Sequence, residues 1–421
     1  MLTQDESEEP WEGFRVPGGT TDEPFPYVDL SMIGGEDGYS WYEMRPFWRA
    51  YRPWLASRGF HLFKPFPDNM GYFFPPPNRC LPALPYATYA NLELDTSSQI
   101  VPSPRFAPAR DQHMRDVMIK LVKKDSEEHR IYEELLSCSE FSERNFPGVL
   151  SPVAILSSQH DFSFIVMPRW GEYAPLDTLE SVGAILSLMR CLLKGLAFLH
   201  SRRIVHRDID FHNIIVNYYT FGRFTETFLH ALEEHRRGPD AFHCLMDFDR
   251  SLKFPPDTSL DACRLPAEEA LVSGTPYHPS DLNLAEHNYN PFAYDVGCLG
   301  NLFRINYAEI VPIIPMLAPL FDQMTTHVIS ERFKASGALA FFEDATRELP
   351  ADVLCTPVQV EPDWGRRNPK VYWAKVPPGF IATPGLYRTP PPSLARRLLD
   401  IITNYTIGWK VLIFLRSVLR I

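Results

Sequence analysis

Residues 204–216 read IVHRDIDFHNIIV, two apolar runs of strand character around a polar stretch with neither glycine nor proline. Chain reversals ordinarily use those two residues, because they supply the backbone angles a turn needs. Here His206, Arg207, Asp208, Asp210, His212 and Asn213 must instead be held by the buried strands on either side. No other stretch limits the fold as much, because burying charge is costly unless partners are built around it. The flanking strands need a substantial core, and 421 residues at 45% hydrophobic content suffice for two or three domain-sized units.

A net charge of −11 opposes a general nucleic-acid binder, which needs a basic face. The seven cysteines are odd in number and include no C-x-x-C pair, so neither a disulfide framework nor a zinc site is expected. A reducing compartment, cytoplasmic or nuclear, fits that usage. The acidic start MLTQDESEEP lacks the basic-then-apolar pattern of a secretory signal. No segment reaches the roughly 18 apolar residues of a membrane span. Forty prolines, about twice the usual share, cluster at 64–85, 101–108 and 376–392 and predict irregular coverings around a core.

Residues 1–43 are acidic and rich in Gly, Pro and Ser/Thr, and are expected to be disordered. An aromatic-rich extension at 44–84 is expected to lie as a helix on the main domain. NLEL and DVMIKLV, within 91–122, read as strands, as does FSFIVM at 162–167. Ser126 followed by two acids predicts a helix N-cap. Val182, Ile185, Leu186, Met189, Leu192, Leu193, Leu196 and Leu199 follow helical spacing and predict an amphipathic helix over 182–199. FHCLMDFD (242–249) predicts a further strand, and 292–303 a helix. Strands come first and helices later, which predicts an α+β protein of two unequal lobes.

HRDIDFHN matches the H-R-D-x-x-x-x-N catalytic loop of protein kinases at every fixed position. VMIK (117–120) resembles the strand lysine motif of that family, and MDFD (246–249) its Asp-Phe-Gly. SGTPYHP (273–279), NPFAYDVGCLG (290–300) and ERFKASGAL (331–339) follow in the family's order. The chain therefore resembles the protein kinase superfamily over 85–345, and in particular divergent fungal kinase-like proteins. The resemblance implies a bilobal fold, with a small β-rich N-lobe (about 85–167), a larger helical C-lobe (about 171–345) and an insertion near 218–241. It also implies transfer of a phosphoryl group from ATP, with Mg2+, to a protein hydroxyl. Asp208 would take or orient the hydroxyl proton, Asn213 and Asp247 would hold magnesium, and Lys120 would meet the phosphates. Glu128 is favoured as the partner of Lys120, with Glu127 and Glu134 as alternatives. Met167 and Arg169 would lie by the adenine. His206 and Arg207 would support the loop, and Trp170 is read equally as part of the inter-lobe connection or as core.

Several positions depart from the family pattern. No G-x-G-x-x-G precedes Lys120, Asp249 replaces the glycine of Asp-Phe-Gly, and no A-P-E follows. Asp281 is a candidate replacement partner for Arg332. Asp210 stands where serine/threonine kinases usually carry lysine. The insertion is expected to contain a helix at 225–238, and Ser259, Ser273 and Thr275 are the available activation phosphosites. Two other functions fit the same residues. One is a pseudokinase scaffold, favoured by the missing glycines; the other is a small-molecule phosphotransferase of the aminoglycoside or choline kinase type, which MDFDR suits. Beyond a Pro-rich segment (346–393), residues 394–421 are apolar with sparse basic residues. They are read either as an amphipathic helix in a membrane interface or as a helix docked on the helical lobe.

Overall fold

The computed structural model describes residues 25–33, 39–65, 71–73, 84–89, 99–100, 103–138, 146–172, 179, 181–219, 230, 234–235, 241–271, 274–284, 286–380, 387–403 and 405–419. The fold is mixed α/β and divides into two compact units. The first holds the described residues up to Cys138 and Ser151–Arg169; the second holds 146–150, Trp170–Tyr219 and the described residues from 230 onward. The expected strand NLEL and most of the expected 225–238 helix lie outside the described residues.

In the first unit, α1 (Trp41–Ser57) begins where the Glu43 carboxylate accepts from the Ser40 N–H at 2.6 Å. Pro46 and Pro53 lie inside this helix and each removes a backbone donor. Packing compensates: Phe47, Trp48, Tyr51 and Leu55 are buried against an antiparallel sheet. The Tyr51 and Phe164 rings meet at 4.9 Å and those of Phe47 and Phe162 at 5.6 Å. Each such buried ring contributes on the order of 2 kcal/mol.

The sheet's strands in chain order are β1 (Phe60–Leu62), β2 (Phe106–Asp111), β3 (Asp116–Lys123), β4 (Ala154–Ser157) and β5 (Phe162–Pro168), arranged β1-β2-β3-β5-β4. Side chains alternate across a strand. Val117, Ile119 and Leu121 of β3 therefore enter the α1 core, and Met118 and Lys120 take the opposite face. Helix α2 (Glu127–Ser137) follows β3 after three residues and is capped by Ser126, whose hydroxyl accepts from the His129 N–H at 3.2 Å.

The second unit begins with β6 (Gly171–Glu172) and α3 (Val182–Ser201), whose buried face is the apolar set expected from spacing. Strands β7 (Ile204–Val205), β8 (Ile214–Val216), β9 (His243–Leu245) and β10 (Leu252–Lys253) follow. β8 pairs with β6 and β9, and β7 with β10. The loop after β7 and the loop after β9 are thus clamped side by side, because the strands at both their ends are partners. β9 is shorter than the expected 242–249, since at Asp247 the backbone turns to φ 66°, outside strand geometry.

Gly148 binds β9 to α3. Its carbonyl accepts from the Leu245 N–H at 3.0 Å, and the Leu150 N–H donates to the Leu245 carbonyl at 3.3 Å. With φ +75°, a Cβ there would meet the Cys191 carbonyl oxygen at 2.1 Å. Gly148→Ala is expected to cost about 2–4 kcal/mol, read as a lower urea midpoint with unchanged slope.

Further elements are α4 (Ala267–Leu271), α5 (Pro291–Tyr307), α6 (Leu317–Thr325) and α7 (Ala335–Thr346). Asn290 caps α5 by accepting from the Ala293 N–H at 2.9 Å. Packing continues beyond residue 345 into the Pro-rich segment. Buried Arg366 donates to the Ile305 carbonyl at 3.0 Å, and the Trp373 indole donates to Asp322 at 2.7 Å. Helices α8 (Leu394–Thr403) and α9 (Thr406–Leu419) complete the unit.

Candidate functional site

The motif residues form two groups, one in each unit. In the first unit, strand alternation and the short β3–α2 connection set Lys120 against the first turn of α2. Its Nζ lies 2.5 Å from Glu128 Oε1, and both side chains are buried. The carboxylate at the helix N-terminus is favoured by the helix dipole as well as by the lysine. Of the other glutamates considered, Glu127 pairs with Arg130 at 2.9 Å. The Phe106 ring centroid stands 5.5 Å from Lys120 Nζ.

Arg169, expected near adenine, donates its N–H to the Asp116 carbonyl at 3.1 Å, and its Nη1 lies 4.0 Å from Asp116 Oδ2. Pro168 offers no N–H at all. Met167 is buried in β5 opposite Met118. In the second unit, Trp170 is buried and stacks on Phe146 at 5.4 Å, so its side chain is core.

The second group is the pair of clamped loops. Asn213 Nδ2 donates to the Asp208 carbonyl at 2.8 Å and to Asp208 Oδ2 at 3.0 Å. Both amide protons are thereby committed to Asp208, and the atom left to offer a ligand is the carbonyl oxygen Oδ1. The Asn213 carbonyl accepts from the Met246 N–H at 3.0 Å, which brings Asp247 beside it in the chain. His206 joins the two loops through a 3.0 Å bond between Nε2 and the Met246 carbonyl. A side-chain amide oxygen and a carboxylate are hard oxygen donors, the chemistry that Mg2+ selects, so Asn213 and Asp247 fit that ion.

Asp295 of α5 holds this loop from below. It is 0% exposed and accepts from the His206 N–H at 2.7 Å, the Arg207 N–H at 2.8 Å and His200 Nε2 at 3.1 Å. Those bonds offset the left-handed turn at Arg207, φ 68°. Burial raises the Asp208 pKa above the ordinary carboxylate value; His206, Asn213 and Arg250 pull it down, and Asp249 pushes it up.

Two further contacts were not assigned from sequence. Arg250 Nε lies 4.0 Å from Asp208 Oδ2, and the Arg207 guanidinium donates to Glu269 Oε2 of α4 at 2.9 Å. Asp210 accepts from the His212 N–H at 3.1 Å. Thr275, one of the candidate phosphosites, is buried and donates to the Ile209 carbonyl at 2.9 Å. Ser259 is exposed, and Ser273 lies outside the described residues. Arg332 donates to the carbonyls of Thr326 at 2.7 Å and Ala293 at 2.9 Å. The side chain of Asp281, its expected partner, lies outside the described ones.

No protein-family model matches the chain, and no curated protein matches it in sequence. Among solved structures, the chain is similar to one in "Crystal Structure of the yeast RNA Pol II CTD kinase CTDK-1 complex". The TM-score is 0.36 and the identity 15%, over 58% of this chain and 90% of that one.

Proposed function

We propose that the protein is an ATP- and magnesium-dependent phosphotransferase acting on a protein hydroxyl. The observation that carries this reading is the Asp208–Asn213 pair, in which both Asn213 amide protons bind Asp208 and its Oδ1 is left for a cation. Asn213 and Asp247 are assigned to magnesium, which when bound neutralises phosphate charge. Lys120, oriented by Glu128, is assigned to the nucleotide phosphates. Asp208 accepts the proton as the acceptor oxygen bonds to the γ-phosphorus and the bond from that phosphorus to the ADP oxygen breaks. Arg207 and Asp295 keep the loop in place.

One observation favours a binding scaffold without turnover: Lys120 is only 2% exposed and has the Phe106 ring beside its ammonium. Thermal denaturation with and without Mg-ATP tests the binding half of the proposal. Ligand at 100 times its Kd is expected to add about 2.7 kcal/mol of stability, a gain that EDTA removes. Lys120→Met is expected to lose most of that gain. Lack of any Mg-dependent shift in the unsubstituted protein would sink the phosphotransferase reading and leave a scaffold that binds no nucleotide. A shift without phosphate transfer to a panel of proteins and peptides would leave the scaffold.

A further inference from the structure

Nine of the fifteen large hydrophobic side chains exposed among the described residues lie in α8 and α9, and a tenth, Tyr405, lies between them. That concentration is too high for scattered surface apolar residues, which occur singly. Leu394, Leu398 and Ile401 recur at helical spacing along α8, and Ile407, Val411 and Val418 along α9; Leu394 is 77% and Ile407 78% exposed. Each helix therefore carries an apolar stripe turned to solvent. A cation borders each stripe, Arg397 beside Leu398 and Lys410 beside Val411. Arg396 and Arg416 add to them, against the single anion Asp400, in a chain whose net charge is −11. α8 is not loose, since it packs on the turn at Ser280–Leu284 of the same unit.

We propose that α8 and α9 form a docking surface for an anionic lipid bilayer, lying in its interface. Helices of 10 and 14 residues reach about 15 and 21 Å, short of the roughly 30 Å hydrocarbon layer, so they rest on the membrane and do not cross it. An amphipathic helix with a basic polar border suits that position. A second copy of the chain is a poorer match. In a two-fold contact the same patch faces itself, which sets one net-positive surface against another.

The test is flotation of the full chain with phosphatidylcholine vesicles, with and without phosphatidylserine. Binding is expected only with phosphatidylserine, and is expected to weaken as salt rises. Leu398→Asp with Ile407→Asp, and separately Arg397→Glu with Lys410→Glu, are each expected to reduce partitioning about tenfold or more. These positions face solvent, so an unchanged melting temperature verifies that each variant is folded. Failure of the unsubstituted chain to float overturns the proposal, as does binding that the aspartate pair leaves intact. Self-association that this pair abolishes, without lipid binding, assigns the surface to a second copy.

Discussion

Replacing Asp208 with Asn is expected to lower the rate of phosphate transfer about 10^3-fold, within the range carried by a positioned base, while leaving the Mg-ATP shift in melting temperature intact. The amide keeps an oxygen for Asn213 Nδ2, so the geometry of the pair survives. What is lost is the acceptor for the hydroxyl proton. Stability is expected to hold or rise. Burial raises the Asp208 pKa, so the folded state favours the neutral carboxyl. That contribution is complete at low pH and is lost as pH climbs through the folded pKa, whereas asparagine is neutral throughout. Single-turnover transfer and a melting curve at pH 7 test both halves. A variant that turns over normally removes Asp208 from the chemistry.

Asp295→Ala is expected to act in the opposite manner, on the fold first. Its carboxylate is fully buried and takes three hydrogen bonds, two from main-chain N–H groups of the loop and one from His200. Truncation leaves those donors buried with no acceptor, at an expected cost of about 3–5 kcal/mol. Urea unfolding measures it, and a loss below about 1 kcal/mol would show that the loop is anchored elsewhere. Together the two variants separate the group that reacts from the group that holds it.

Local signals carried much of the fold. The near-continuous apolar run at 116–122 and the serine-then-acid start at 126 place β3 and α2 within a residue or two. The favoured Glu128 lies against Lys120 because only three residues separate strand from helix. Other features leave no pattern in sequence. The approach of Gly148 to Cys191 joins main-chain atoms 43 positions apart, and any two residue types can present a carbonyl. Arg366 likewise turns one guanidinium nitrogen to main-chain oxygens of α5, a contact that nothing in 346–393 announced. Glu269 was one acid among several, and only the fold selects it as the partner of Arg207. The bond from the Arg169 N–H to the Asp116 carbonyl likewise joins main-chain groups that no sequence pattern marks.

That Arg207–Glu269 pair has a consequence for control. A carboxylate encoded in the chain already supplies the negative charge beside the loop arginine, so the contact is present from synthesis and asks for no modifying enzyme. Whatever shifts α4 then shifts the charge that holds the loop arginine.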